Sequence, residues 1–248
     1  MPEPTAAAAA GTKPVWSVFS FIWGLCVVIF IVTSSVDFFC FFRPFYRYVY
    51  QRLNTAATVG LSEADLTRGT DILLDYLKDR TDSLDLEVTD LQTGQPDQMF
   101  DEREKAHMVD VKALYQHMLL VKRLTGIFVL LWIGLLFWRQ RERVLTLLKK
   151  GYLKGLAVAG AALSILLGLA VWDFDRFWTA FHHLFFHNDL WLLDPATERM
   201  INMVPSYFFN RLVIMIVVAA LLALALIALL LSRLKKWQAS GRLAGGGV

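Results

Sequence analysis

Four long apolar stretches constrain this chain more than any other feature, because about 20 mostly apolar residues are what a helix needs to cross a bilayer core. They read as spans at residues 15–42, 119–138, 152–172 and 212–231, several with Trp or Tyr near an end, where such rings favour the headgroup level. The sequence of 248 residues is 56% hydrophobic and 19% charged, outside the usual soluble range, which excludes a soluble enzyme. With 18 Phe, 8 Trp and 7 Tyr it is too aromatic for disorder. A transmembrane barrel would need short alternating segments instead. The expected fold class is an all-α polytopic membrane protein with four transmembrane helices and a small extracellular α/β cap between the first two. A formal net charge of +3 is too small to suggest nucleic acid as a partner. No span is expected to hold an internal charge pair or a Pro break, which speaks against a transporter.

Loop charges set the orientation. The connection from Arg139 to Lys154 carries six basic side chains against Glu142, and the segment 232–248 carries four basic and no acidic ones. Both belong on the cytoplasmic side. Residues 41–118 hold nine basic against fourteen acidic side chains, and 173–210 hold two against five, so both belong outside. The expected layout is a cytoplasmic tail at 1–14, a cap at 43–118, an inner loop at 139–151, an outer segment at 173–211 and an inner tail at 232–248. The first span is too long for a signal peptide and lacks a small-residue cleavage site, so it is read as retained. Ala6–Ala10 and Gly245–Gly247 are compositionally biased stretches to which the sequence assigns no role. Cys26 and Cys40 lie fourteen residues apart on one expected helix, about 21 Å at 1.5 Å per residue, too far to pair; both read as packing residues.

Within the cap, Ser62-Glu63-Ala64-Asp65 opens like a capping box, and Leu66, Ile72, Leu73, Tyr76 and Leu77 supply a helical apolar stripe. Leu84, Leu86 and Val88 alternate with Asp85 and Glu87 ahead of a Thr93-Gly94-Gln95-Pro96 turn, which predicts a strand or hairpin. A helical pattern resumes near Asp101 and can run into the second span.

Two short segments concentrate the aromatics. One is Phe38–Tyr50, with Tyr46 among its rings. The other runs from Trp172 to Trp191 and interleaves Trp178, Phe181, Phe185 and Phe186 with His182, His183 and His187. Interfacial belts favour Trp and Tyr; the excess of Phe suits a chamber for acyl chains. All five histidines, His107 and His117 included, fall on the expected outer side. On a helix, His182 shares its face with Trp178, Phe185 and Phe186. Apolar surroundings keep an imidazole neutral, the state a general base needs. His107 has Glu104 three residues before it and Asp110 three after, either of which could orient its ring. His183 and His187, at i and i+4, could hold a metal, although the neighbouring residues lack a zinc-protease pattern.

The segment from Glu102 to Tyr115 (EREKAHMVDVKALY), the segment from Phe181 to Trp191 (FHHLFFHNDLW), Asp194-Pro195 and Pro205-Ser206-Tyr207-Phe208-Phe209 together resemble the lipoprotein intramolecular transacylase family, Lit. The likeness in order, spacing and four-span layout covers nearly the whole chain. It implies a bacterial plasma-membrane acyltransferase with its active site at the outer leaflet. The substrate would be a lipoprotein whose N-terminal cysteine bears a diacylglyceryl thioether, and the sn-2 acyl chain would move to the cysteine α-amine, giving the lyso form. By motif position the family's two catalytic histidines fall on His107 and His182. Trp178, Phe181, Phe185, Phe186, Trp191 and Tyr46 are expected to line the substrate site, with Asp110, Lys112, Asn188 and Asp189 as its polar contacts. Expected partners are lipoprotein N-termini and membrane lipid, with no cofactor and no metal.

Attack of the amine on the ester closes an eight-membered ring, so a chamber that folds the substrate would supply proximity. One neutral histidine can take the amine proton while the second protonates the departing glyceryl oxygen or stabilises the oxyanion. His182, with its apolar neighbours, is the expected base and His107 its partner. No G-x-S-x-G nucleophile elbow is present. One obstacle is distance: Lys122 and Arg123 mark the outer end of the second span, which leaves His107 about 22 Å above it on a continuous helix. For the two rings to meet, that helix would have to break, tilt or enter the membrane earlier. Competing readings are a lipid- or lipoprotein-binding protein without chemistry and, third, a metal-dependent membrane hydrolase.

Overall fold

The computed structural model describes residues 14–245, with side chains to residue 238. The expectations for most of the 1–14 tail, for Ala6–Ala10 and for Gly246 and Gly247 fall outside the described residues. In chain order the elements are α1 (Pro14–Cys40), α2 (Arg43–Leu53), α3 (Thr55–Val59), α4 (Glu63–Leu77), β1 (Glu87–Thr89), β2 (Pro96–Gln98), α5 (Glu102–Arg139), α6 (Val144–Trp172), α7 (Phe174–Phe185), α8 (Arg199–Met203) and α9 (Ser206–Gly245). Four of these, α1, α5, α6 and α9, are long and apolar enough to cross a membrane. The chain is an all-α polytopic membrane protein with a small α/β cap between its first two spanning helices.

Two compact units divide the chain, and all four long helices contribute to both. In the unit built from residues up to Ile31, Leu124–Ala162 and the part of α9 from Leu221, α1 and α6 meet through small residues. A Cβ added to Gly151 would overlap the Ser20 carbonyl, and one on Gly24 would overlap the Gly151 carbonyl. Such contact lets backbones approach where no hydrophobic effect drives helices together. Around this seam Trp23 donates from Nε1 to the Val129 carbonyl at 3.2 Å, and the Tyr152 hydroxyl donates to the Leu224 carbonyl at 2.5 Å.

The second unit, Val32–Arg123 with Leu163–Ala220, holds the cap. Its core joins Phe45, Tyr46, Val49 and Tyr50 of α2 to Leu66, Leu73 and Leu74 of α4, Met99 and Phe100, Met200 and Met203 of α8, and Phe208 of α9. Local rules explain the pieces. Ser62 caps α4 by accepting from the Asp65 amide at 3.0 Å, as the capping-box pattern predicts. β1 and β2 pair antiparallel, Val88 opposite Asp97, across a turn in which the Asp90 carboxylate accepts from the Gln92 and Thr93 amides and Gly94 takes a positive φ of 68°. α5 opens with a reciprocal box: the Glu104 amide donates to Asp101 at 2.7 Å and the Asp101 amide donates to Glu104 at 2.8 Å.

Two expectations are corrected here. The spans are not free of a charge pair: Asp37, near the end of α1, bonds Lys122 of α5 at 2.5 Å, with Lys78 at 3.7 Å. An ionised group at this level persists because it is paired. Secondly, α5 is one unbroken helix past His107, so no break in it is needed for the histidines to meet; the other partner is brought to α5.

Candidate active site

That partner arrives on α7 and the irregular segment behind it. Asp173 caps α7, accepting from the Arg176 amide at 3.1 Å, and the helix stops at Phe185 because Phe186 turns extended, φ −119° and ψ 134°. The stretch after it is tied across α5. Asn188 donates to the Asp110 carboxylate at 2.8 Å, and Arg103 donates to the carbonyls of Asp189 at 2.5 Å and Leu192 at 3.2 Å. The Asp194 amide also donates to Glu198. Further on, Glu104 accepts from the Met200 amide at 2.5 Å, and Arg199 reaches Asp90, Asp97 and the Gln98 carbonyl.

These ties seat His182 against His107. The ring centroids are 6.2 Å apart, and the residues are 6% and 8% exposed respectively. Trp191 stacks on His182 at 4.7 Å, Trp178 meets it edge-on at 4.7 Å and Phe181 edge-on at 5.5 Å. Phe186 lies edge-on to His107 at 5.3 Å. Nδ1 of His182 is 2.7 Å from the Trp178 carbonyl oxygen. A carbonyl only accepts, so Nδ1 carries the proton of the neutral ring and Nε2 keeps the lone pair. Two further polar atoms in the cage, Nδ1 of His107 and Nε1 of Trp191, are buried with no hydrogen-bond partner among the described residues. Such atoms are costly unless something else satisfies them.

Burial and the neighbouring imidazole push the His107 pKa down to about 4, with Asp110 opposing weakly. Burial lowers that of His182 as well, partly offset by its bond to the Trp178 carbonyl. Desolvation dominates at both, so both rings are neutral near pH 7. A neutral imidazole pair in an aromatic cage can move a proton between two oxygen or nitrogen atoms of a bound molecule.

Of the residues singled out from the sequence, Trp178, Phe181, Phe186 and Trp191 surround the pair, and Phe185 joins through Phe181 at 4.9 Å. Asp110, Asn188 and the Asp189 carbonyl belong to the ties beside it. Tyr46 does not join them: it is buried in the cap core against Phe45, Tyr50 and Phe208, its hydroxyl donating to the Cys40 carbonyl at 2.8 Å. Lys112 likewise turns to Asp79 at 2.7 Å and lies over the Tyr76 ring. Neither Glu104 nor Asp110 holds His107 Nδ1, contrary to the spacing argument; both are engaged by the 188–200 segment. His183 and His187 do not stack one turn apart, because α7 ends between them; both are exposed, and no group of three His, Cys, Asp or Glu suited to a metal occurs among the described residues. Sequence reasoning missed Arg103, Glu198 and Arg199. Arg103 is hidden in the charged run from Asp101 to Lys105, and Glu198 and Arg199 form an adjacent pair of opposite charges, so nothing local in the sequence marked them.

The fold and this site define a multi-pass helical membrane protein with a small cap and a buried histidine pair. A family model for the lipoprotein intramolecular transacylase Lit matches residues 21–209, and the chain belongs to that family, a family of membrane transacylases. The in meso structure of the membrane integral lipoprotein intramolecular transacylase Lit from Bacillus cereus is similar to it, with a TM-score of 0.72 and 18% identity over 94% of this chain and 100% of that one. Two structures of that protein with a histidine replaced, by Arg in one and by Ala in the other, each give a TM-score of 0.72 at 19% identity and cover 92% of this chain. No curated protein sequence matches the chain significantly.

Proposed function

We propose that this chain moves the sn-2 acyl chain of a diacylglyceryl-cysteine lipoprotein onto the cysteine α-amine, with His182 as base and His107 as its acid or oxyanion partner. The observation that carries the reading is the orientation of His182. With Nδ1–H held by the Trp178 carbonyl, its free lone pair lies on Nε2, in a ring packed 6.2 Å from a second neutral imidazole.

In the reaction, the neutral amine nitrogen attacks the ester carbonyl carbon and passes a proton to His182 Nε2. The C–N bond forms, and the negative charge develops on the carbonyl oxygen, where a donor N–H from His107 stabilises it. Collapse breaks the bond between the acyl carbon and the glyceryl oxygen, which leaves with the proton now on an imidazolium. The products are an amide and a glyceryl hydroxyl; the sum of atoms is unchanged, and neither water nor a nucleophilic Ser or Cys takes part. The aromatic cage supports this course by keeping water from the ester and by folding the eight-membered ring.

The charge pattern of the loops supports an orientation with both termini cytoplasmic and the site at the outer leaflet, and membership of the Lit family supports a bacterial plasma membrane. On that reading the spans are 15–42, 119–138, 152–172 and 212–231, the cap is 43–118 and the second outer segment 173–211. Lipoprotein N-termini and membrane lipid are then the partners, and no cofactor takes part.

The test is mass spectrometry of a diacyl lipoprotein incubated with the purified protein. The expected product has unchanged total mass and one acyl chain on the amine. His182→Ala or His107→Ala should lower its formation at least about a hundredfold with the fold intact. Binding that survives with no product from the unaltered protein would instead favour a lipoprotein-binding protein without chemistry.

A further inference from the structure

We propose that the cavity between the last turns of α1 and the Lys122 region of α5 binds the phosphodiester headgroup of an anionic glycerophospholipid, with an acyl chain along Phe38 and Phe42. This cavity, of about 460 Å³, lies in the cap-bearing unit, and its polar lining is Ser34, Asp37, Lys78 and Lys122. That volume falls in the range of small-ligand sites.

The charges do not cancel. Asp37 takes a bond from Lys122 at 2.5 Å on one oxygen and from the Tyr115 hydroxyl at 2.7 Å on the other. Lys78 stays 3.7 Å from the same carboxylate and lies 3.9 Å over the Phe41 ring. The Lys78 ammonium thus shares a carboxylate that Lys122 already bonds, which leaves its positive charge only partly compensated in a half-buried site. Close by, the Ser34 hydroxyl is buried with no hydrogen-bond partner among the described residues. A phosphodiester brings one negative charge and two free acceptor oxygens, which match the surplus charge and the donors.

Level and surroundings identify a lipid as the carrier of that phosphate. Asp37 sits one turn before the end of α1, and Lys122 just inside the apolar stretch that begins at Leu119, so the charged groups lie within the outer ends of two spans, where a lipid phosphate can meet them. Phe38 and Phe42 line the same cavity and are 61% and 39% exposed, an apolar wall for a chain. The site is separate from the histidine pair: fifteen residues of continuous α5 between His107 and Lys122 place them about 22 Å apart. A diacylglyceryl thioether has no phosphate, so the ligand class differs from the substrate proposed above.

Native mass spectrometry of the full-length protein in nonionic detergent tests this, with phosphatidylglycerol, a diacylglycerol of the same chains, and glycerol phosphate as probes. Phosphatidylglycerol should bind at least about tenfold more tightly than either of the others. Lys78→Met, which leaves the Asp37–Lys122–Tyr115 bonds in place, should weaken phosphatidylglycerol about tenfold and leave diacylglycerol unchanged. Asp37→Asn should tighten it, since one competing anion is gone. Equal binding of phosphatidylglycerol and diacylglycerol, equal binding of glycerol phosphate, or an effect of Lys78→Met below twofold would each overturn the proposal.

Discussion

The Glu104 carboxylate and the Met200 backbone amide are joined by a 2.5 Å hydrogen bond across ninety-six residues of chain. The same carboxylate closes the capping box of α5 through the Asp101 amide at 2.8 Å, and Glu104 is 1% exposed. One side chain three residues before His107 therefore both starts the helix that carries it and anchors the strap that ends in α8. Burial raises the Glu104 pKa against the two backbone bonds that lower it.

Glu104→Gln should uncouple those duties. A carboxamide has a single acceptor oxygen, so one buried amide loses its partner at about 1–3 kcal/mol. For a chain of this size that corresponds to a melting temperature lower by roughly 2–12 °C. Thermal denaturation in detergent measures it, and a melting temperature unchanged within 1 °C, on the order of experimental error, would refute the double anchoring.

The rate should report the substrate amine rather than the histidines. Both imidazoles are depressed, His107 to about 4, so their neutral forms are present from about pH 6.5 upward. The α-amine must shed a proton with a pKa of about 7.7–8.0 before it can attack. Acyl-transfer rate against pH should therefore rise to a plateau with a midpoint near that of the amine. A midpoint at an ordinary imidazole value of about 6.5 would show that a histidine, not the amine, limits the reaction.

Stability should fall on the acid side for the same reason. Between about pH 6.5 and 4 the unfolded His107 takes a proton that the folded one refuses, so the unfolded state binds more protons and stability decreases as the pH drops. Above that window both forms are neutral and the residue contributes no pH dependence. Melting temperatures from pH 7 to 4.5 should decline more steeply for the wild type than for His107→Leu; parallel curves would contradict a buried neutral ring.

Gly151→Ala probes the other unit. The new methyl would overlap the Ser20 carbonyl, and overpacking of this kind costs about 1–3 kcal/mol. Thermal melts should show the loss with no change in the pH dependence of transfer. A variant as stable as the wild type would mean that α1 and α6 separate without penalty.

Sequence periodicity and composition alone determined the long helices, the α4 cap at Ser62, the hairpin around Gly94 and the membrane class, because each follows from local rules of hydrogen bonding, side-chain spacing and transfer from water. The motif segments also brought His107 and His182 into view as a pair, with Trp178 and Phe181 on the same helix. Beyond that range spacing misled. Tyr46 is aromatic in an aromatic run yet is spent on the cap core, and Lys112 faces Asp79. His183 and His187 part because the backbone turns at Phe186. Asp37 reads as a lone charge at a span end until Lys122, eighty-five residues later, is set 2.5 Å away. Only the tertiary structure decided these points, since each depends on which chain segments pack against or pair with one another and on where the backbone turns. The same holds for the site's central fact: α5 stays unbroken, and Arg103, Glu104 and Asp110 hold the segment after α7 against it, so that two histidines seventy-five residues apart in sequence share one aromatic cage.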